Sequence, residues 1–359
     1  MDLTRRDFHK LALGSVAATA TAATTMSGLT AAAQVTKPNS VFGGVQIGVI
    51  APYSFMNEVT DVDSILTHVV RLGISAVELQ SSVIEGFAGA PGLAPATGRG
   101  GRGGRAGAAP APAATTPAPA TATPAPPSTT DATTTQARTL TPEQQTADTL
   151  RRWRLMQAMT KYRDLKKKFD DAGVAIQIVK FDLGPTFVDE EIDYCFQVAK
   201  TLGARAITCE PPVRETKRLG LFADKHQLML GFHGHSDVTG VDAFGRPGAW
   251  EQAFFYSKFN GANIDIGHFT AGNNRSPLAF IREYHDRITN IHLKDRRMNQ
   301  GPNVPWGEGD TEIREILQLM KREKYPFQAT IELEYPVPAG STRVAEIAKC
   351  LAFCKDALL

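Results

Sequence analysis

Short β-rich runs alternate with longer stretches of helical spacing along most of this chain. The β-rich runs are Val45–Ile50, Ala76–Leu79, Ala175–Phe181, Arg205–Cys209, Leu228–His233, Asn263–Ile266, Ile288–Leu293 and Ala329–Leu333. They predict eight strands. Between them, Leu155, Met159, Tyr162 and Phe169 share one helical stripe that Gly173 closes. Ile313, Ile316, Leu317 and Met320 share another, with Asp310 and Thr311 as expected caps and Pro326 beyond its end. Strands alternating with helices imply a parallel sheet with helices packed outside it.

The strands carry a second regularity. Ile291 and Leu293 face one way on strand 7, while Asn290, His292 and Lys294 face the other. Strand 8 sets Ile331, Leu333 and Tyr335 against Thr330, Glu332 and Glu334. Strand 4 sets Ile207 and Cys209 against Thr208 and Glu210, and strand 2 sets Val77 and Leu79 against Glu78 and Gln80. Each strand turns polar on one face only, toward its C-terminal end. An open doubly wound sheet is covered on both faces and is apolar on both. A closed barrel explains the asymmetry, because its inner face opens upward into a site. No G-x-G-x-x-G follows the first strand; Gly43-Gly44 precedes it. The expected fold is therefore a single (β/α)8 barrel of the α/β class.

Two segments break the pattern. Thr4-Arg5-Arg6-Asp7-Phe8 sets an arginine pair before an Ala/Thr-rich run, and Ala31-Ala32-Ala33 fits a small-residue cleavage site. Residues 1–33 resemble a twin-arginine (Tat) export signal, which implies the Tat machinery as a partner and a periplasmic or secreted location. Residues 87–138, inserted after strand 2, are nearly all Gly, Ala, Pro and Thr. Such composition cannot bury enough apolar surface to offset its ordering entropy, so a disordered low-complexity insertion is expected. Outside both, in 34–86 and 139–359, 274 residues remain, close to the ~250 typical of one (β/α)8 barrel.

Composition narrows the function classes. Lys and Arg number 39 against 37 Asp and Glu, a net charge of +2. That balance argues against a nucleic-acid partner, and the arginines of Gly98–Arg105 are too few to reverse it. Four cysteines with no CxxC pair exclude a disulfide scaffold. No apolar run reaches the roughly 18–20 residues of an ordinary membrane span. A homo-oligomer stays open.

The candidate chemistry lies at the strand ends. His233, His235, His268 and His292 sit there with Glu78, Glu210, Asp265, Asp295, Glu332 and Glu334. Carboxylates gathered in one barrel mouth require a cation or a shared proton. Oxygen donors joined by one or two imidazoles suit one divalent cation, Mn²⁺, Mg²⁺, Co²⁺ or Zn²⁺. Other readings accompany several residues. Asp265 is also placed to cap the next turn, Glu332 and Glu334 both point inward, and His233 and His235 are also readable as packed histidines. Lys294 suits an ion pair with Glu334 or proton transfer. Trp306 suits loop anchoring or a sugar face.

Ala76-Val77-Glu78-Leu79, Asp265-Ile-Gly-His268, Asn290-Ile-His292-Leu-Lys-Asp295, Trp306-Gly-Glu-Gly-Asp310 and Thr330-Ile-Glu332 occur in that order. Together they resemble the xylose isomerase-like barrels of the sugar phosphate isomerase/epimerase superfamily. The resemblance implies a metal held by Asp265, His292 and Glu332. Keto-sugar 3-epimerases add a strand-5 Glu, absent from Leu230–His235 here. Inosose-dehydratase-like members end strand 4 in Glu, as Thr208-Cys209-Glu210-Pro211 does. Glu210 is therefore the expected fourth ligand.

The implied reaction is proton abstraction next to a sugar or cyclitol carbonyl, giving an enediolate and then isomerisation or epimerisation. Glu210 or Glu332 would be the base, with His233, His235 or Lys294 carrying the proton. Glu78, His268, Trp306 and Glu334 are the expected substrate contacts. Elimination from 3-keto-glycosides or inososes, as in a lyase or dehydratase, is the alternative outcome, and a non-catalytic sugar-binding barrel is a second.

Overall fold

A computed structural model describes residues 37–59, 61–92 and 141–359. The expected export signal and residues 93–138 of the expected insertion lie outside these. Eight strands run parallel in sequence order: β1 Val45–Ala51, β2 Ala76–Gln80, β3 Ala175–Lys180, β4 Ala206–Cys209, β5 Met229–His233, β6 Asn260–Asp265, β7 Ile288–Leu293 and β8 Gln328–Ile331. β1 also pairs in parallel with β8, with Val49 beside Ile331, so the sheet closes into a (β/α)8 barrel. A two-residue strand, Val41–Phe42, folds back antiparallel on β1. Gly43 and Gly44 make that turn at φ +54° and +87°, where a side chain would be strained.

The outward residues Val49, Val77, Leu79, Ile207, Ile264, Ile291 and Ile331 are fully buried against the helical layer. The interior is polar. Glu78, Thr208, Asn263, Asn290, Gln328 and Thr330 are buried inside, largely bonded to one another. Room for them comes partly from glycines. A Cβ on Gly231 would meet the Thr289 hydroxyl at 2.1 Å, and one on Gly48 would meet Gln328 at 2.4 Å.

Four local expectations are corrected. β6 begins at Asn260, and Ile266 opens the next helix, because Asp265 caps that helix by accepting from the His268 N–H at 2.7 Å. The stripe from Leu155 to Phe169 is split between Pro142–Leu155 and Thr160–Ala172, leaving Leu155 half exposed. Asp310 and Thr311 do not cap the helix Ile313–Glu323; Asp310 accepts from Met298 N–H, and the Thr311 N–H donates to Asp295. The helix Ser81–Ala88 runs through Phe87 and stops at Gly89 (φ +92°), so the expected insertion begins later than residue 87.

Candidate functional site

At the C-terminal mouth, β5, β6 and β7 end in His233, Asp265 and the His292-Leu293 pair, and Glu332 follows β8. One donor atom from each of His233, Asp265, His292 and Glu332 lies within 4.8 Å of the others, and all four residues are buried. His292 Nδ1 is 2.7 Å from Glu332 Oε2. His233 Nε2 is 3.7 Å from Asp265 Oδ2 and 3.9 Å from Glu332 Oε2. Neither ring nitrogen of His233 makes an aligned hydrogen bond, nor does Asp265 Oδ2, although Glu210 Oε1 lies 3.3 Å from His233 Nδ1 and Lys294 Nζ 3.0 Å from Asp265 Oδ2. Buried polar atoms left so are costly unless something joins them. Two imidazole nitrogens and two carboxylate oxygens, converging in this way, fit a divalent cation. Asp265 combines both expected readings, since Oδ1 caps the helix and Oδ2 faces the group.

Glu210 stands apart from that set. Oε1 pairs with Lys180 Nζ and lies 3.3 Å from His233 Nδ1, while Oε2 is 3.1 Å from His235 Nε2. His233 joins Asp265, His292 and Glu332, and it is also shared with a second group, Glu210, His233 and His235, whose donor atoms lie within 4.8 Å of one another. Burial raises the Glu210 carboxyl, but Lys180 and the two histidines outweigh it and hold it well below the usual range. Lys180 was overlooked in the sequence. Its signal was its inward phase at the end of β3, the phase that marks Glu78 on β2.

Glu78 is not at the open mouth. It is 0% exposed beneath His292 and accepts from His292 Nε2 at 2.8 Å, Thr208 Oγ1 at 2.6 Å and Asn290 Nδ2 at 2.7 Å. The expected substrate contact is thus a buried partner of His292. Burial works against charge on His292, yet Glu78 and then Glu332 raise it to about 10.

The wall around β8 holds a second polar group. Lys294 Nζ lies 2.6 Å from Glu334 Oε2, 3.0 Å from Asp265 Oδ2 and 3.1 Å from Glu332 Oε2. Tyr53 donates to Glu334, and Asn303 Nδ2 donates to it at 3.3 Å. Tyr53 and Asn303 carried no sequence signal, because loops bring them in. His268 sits between Lys294 Nζ at 3.2 Å and Arg296 Nη1 at 2.7 Å. Burial first, then Lys294, holds its ring well below the usual pKa. His235 is half exposed at the rim.

Asp295 and Trp306 both lie in or beside the loop after β7. Asp295 accepts from the N–H groups of Gly307, Gly309 and Thr311, shaping the loop after β7. Trp306 packs edge-on against Phe353 of the last helix, with ring centroids 5.8 Å apart.

The class so defined is a (β/α)8 barrel with a buried His/Asp/Glu group at its mouth. Its form is that of the xylose isomerase-like barrels. The chain is similar to a sugar phosphate isomerase/epimerase from Parabacteroides distasonis, at 16% identity over 86% of this chain and 95% of that one, with a TM-score of 0.51. It is similar to the IolI protein crystallised with a zinc atom, at 12% identity over 88% and 99%, TM-score 0.53. It is also similar to 3-keto-D-glucoside 4-epimerase, YcjR, from E. coli, at 8% identity over 87% and 99%, TM-score 0.52. At such identities the likeness is one of fold. No family model and no curated protein matches the sequence. Among the described residues, no helix is long and apolar enough to cross a membrane.

Proposed function

We propose that the protein is a metal-dependent enzyme that isomerises or epimerises a sugar or cyclitol by moving a proton next to a carbonyl. The observation that carries this reading is the convergence of His233, Asp265, His292 and Glu332 in the barrel mouth, with both His233 ring nitrogens buried and without a hydrogen bond. These four residues would hold the cation. When bound, a divalent cation supplies polarisation of the carbonyl and an adjacent hydroxyl, which acidifies the C–H between them. Glu210, kept ionised by Lys180, takes the proton, and His235 at the rim passes it on. Glu334, Lys294 and Tyr53 stand on the opposite side, since β4 and β8 are four strands apart in the closed barrel. A sugar phosphate isomerase/epimerase and a 3-keto-D-glucoside 4-epimerase among the neighbours of this fold support the substrate class. Residues 1–33 direct export through the Tat route, so the enzyme works in the periplasm or outside the cell.

One observation favours a second outcome. The Tyr53 hydroxyl, which burial and then Glu334 keep protonated, is a hydrogen-bond donor across the mouth from Glu210. A base on one wall and a hydroxyl able to stabilise a departing oxygen on the other suit expulsion of a β-substituent from a 3-keto-glycoside or inosose. The test is to load the protein with Mn²⁺, Co²⁺, Zn²⁺ or Mg²⁺ and offer keto-sugars, 3-keto-glycosides and inososes in deuterated water. Metal-dependent deuterium uptake is expected. Isomer formation marks the first outcome and release of the substituent the second. Sugar binding that survives chelation, with no exchange, would overturn both in favour of a binding barrel.

A further inference from the structure

The two imidazoles of the donor group each have a carboxylate behind them, and neither carboxylate belongs to the group. Glu78 is the firmer case. Its Oε1 accepts from Thr208, and its Oε2 accepts from Asn290 and from His292 Nε2. A fully buried carboxylate with three such partners is not free to swing up to a substrate. An ionised carboxylate only accepts, so the hydrogen it faces sits on Nε2, and the Asn263 amide, 3.1 Å away, then presents its otherwise unpartnered oxygen to the same N–H. That leaves His292 Nδ1 turned toward Glu332 and the other donors.

His233 is arranged the opposite way round. Its Nδ1 lies 3.3 Å from Glu210 Oε1, while Nε2 faces Asp265 and Glu332. Glu210 is itself held by Lys180 and His235. The two rings stand 4.8 Å apart, tilted by 50°. Opposite nitrogens of the two histidines thus reach one point between Asp265 and Glu332.

We propose that Glu78 is a positioning residue that sets the tautomer of His292, and that the resulting two-imidazole, two-carboxylate site takes Zn²⁺ or Co²⁺ in preference to Mg²⁺. The inference rests on the metal reading above and deepens it. Imidazole donors suit the later transition cations, whereas Mg²⁺ prefers oxygen ligands and water. Two carboxylates balance a divalent charge. Lys294 then gives up Asp265 and Glu332 and stays on Glu334, already its nearest carboxylate. Outer carboxylates of this kind fix ring orientation and raise ligand basicity.

The test begins with wild-type protein carrying ¹⁵N-histidine and loaded with Zn²⁺. Long-range ¹H–¹⁵N spectra are expected to show the proton on Nε2 of His292; the reversed tautomer overturns the proposal. Competition against a chromophoric chelator gives the affinities. A hundredfold excess of Mg²⁺ should fail to displace Zn²⁺, and displacement would sink the metal preference. Glu78→Gln should weaken Zn²⁺ by about 10–100-fold, and the metal-free melting temperature should fall as well, because His292 loses the buried carboxylate that holds its charge. An unchanged affinity overturns the role of Glu78. If that variant does not fold, the wild-type spectra still decide. Zn²⁺ bound with the expected tautomer but no proton exchange on any substrate would refute the proposed activity and leave this inference standing. No binding of any divalent cation refutes both.

Discussion

Arg154 and Glu85 form a buried two-pronged ion pair, with Nε 2.7 Å from Oε1 and Nη2 2.9 Å from Oε2. Nη1 of the same guanidinium reaches Glu191 Oε1 at 3.0 Å. Glu85 lies in the helix before the segment 93–140 and Arg154 in the helix after it. The chain is therefore fastened where it leaves the barrel and where it returns. Removing one partner from such a pair strands buried charge. Arg154→Met should lower unfolding stability by about 3–5 kcal/mol. Urea denaturation measures it, and a loss under ~1 kcal/mol would mean the clamp holds little.

The same clamp bears on the insertion. A Cβ built on Gly92 would lie 3.8 Å from Thr146 Cγ2, so the two ends of the described chain come close together. Replacing residues 93–140 by a short Gly/Ser link should keep the melting temperature within about 3 °C, a change of roughly 1 kcal/mol for a domain of this size. A fall of many degrees would show that the segment packs as structure.

Lys294 is the counter-charge to Asp265, Glu332 and Glu334. Lys294→Met should destabilise the metal-free protein, because three carboxylates lose their ammonium partner. Added Zn²⁺ should then raise the melting temperature further than it does in the wild type, since no ammonium competes for Asp265 and Glu332. Paired melts with Zn²⁺ and with chelator test this. An equal gain in both proteins would contradict the competition.

His292 gives a pH signature in metal-free protein. Its pKa is raised on folding from 6.5 to about 10. A raised pKa means the charged ring stabilises the fold fully below about pH 6.5 and loses that contribution as pH climbs toward 10. Urea midpoints in chelator should fall between pH 7 and 9, and His292→Asn should flatten that slope. A midpoint that holds steady in the wild type would count against a charged His292.

Export is tested apart from catalysis. A double variant, Arg5→Lys with Arg6→Lys, should stay in the cytoplasm when cells are fractionated. Wild-type levels in the periplasm would end the Tat reading.

Much of the barrel was legible because period-two polarity survives folding unchanged. Glu78, Thr208, Asn290 and Glu332 had to share the inner face once their strands were assigned, and they do. Elements were misjudged where a side chain serves the next unit. Asp265 ends β6 early by capping, and Thr311 answers to Asp295 and not to the helix beside it.

The sequence by itself determined the strand order, the inward face and the pool of chemical groups at the mouth. Phase along a strand is local and needs no partner. Which of those groups meet was decided only by tertiary structure. Asp265, His292 and Glu332 are 27 and 40 residues apart, and strand closure alone joins them. Closure also put His233 beside Asp265, His292 and Glu332, drew Glu210 to Lys180, and sank Glu78 beneath His292. Height within the barrel depends on register between neighbouring strands. That register is set by packing across the whole sheet, which no single strand encodes.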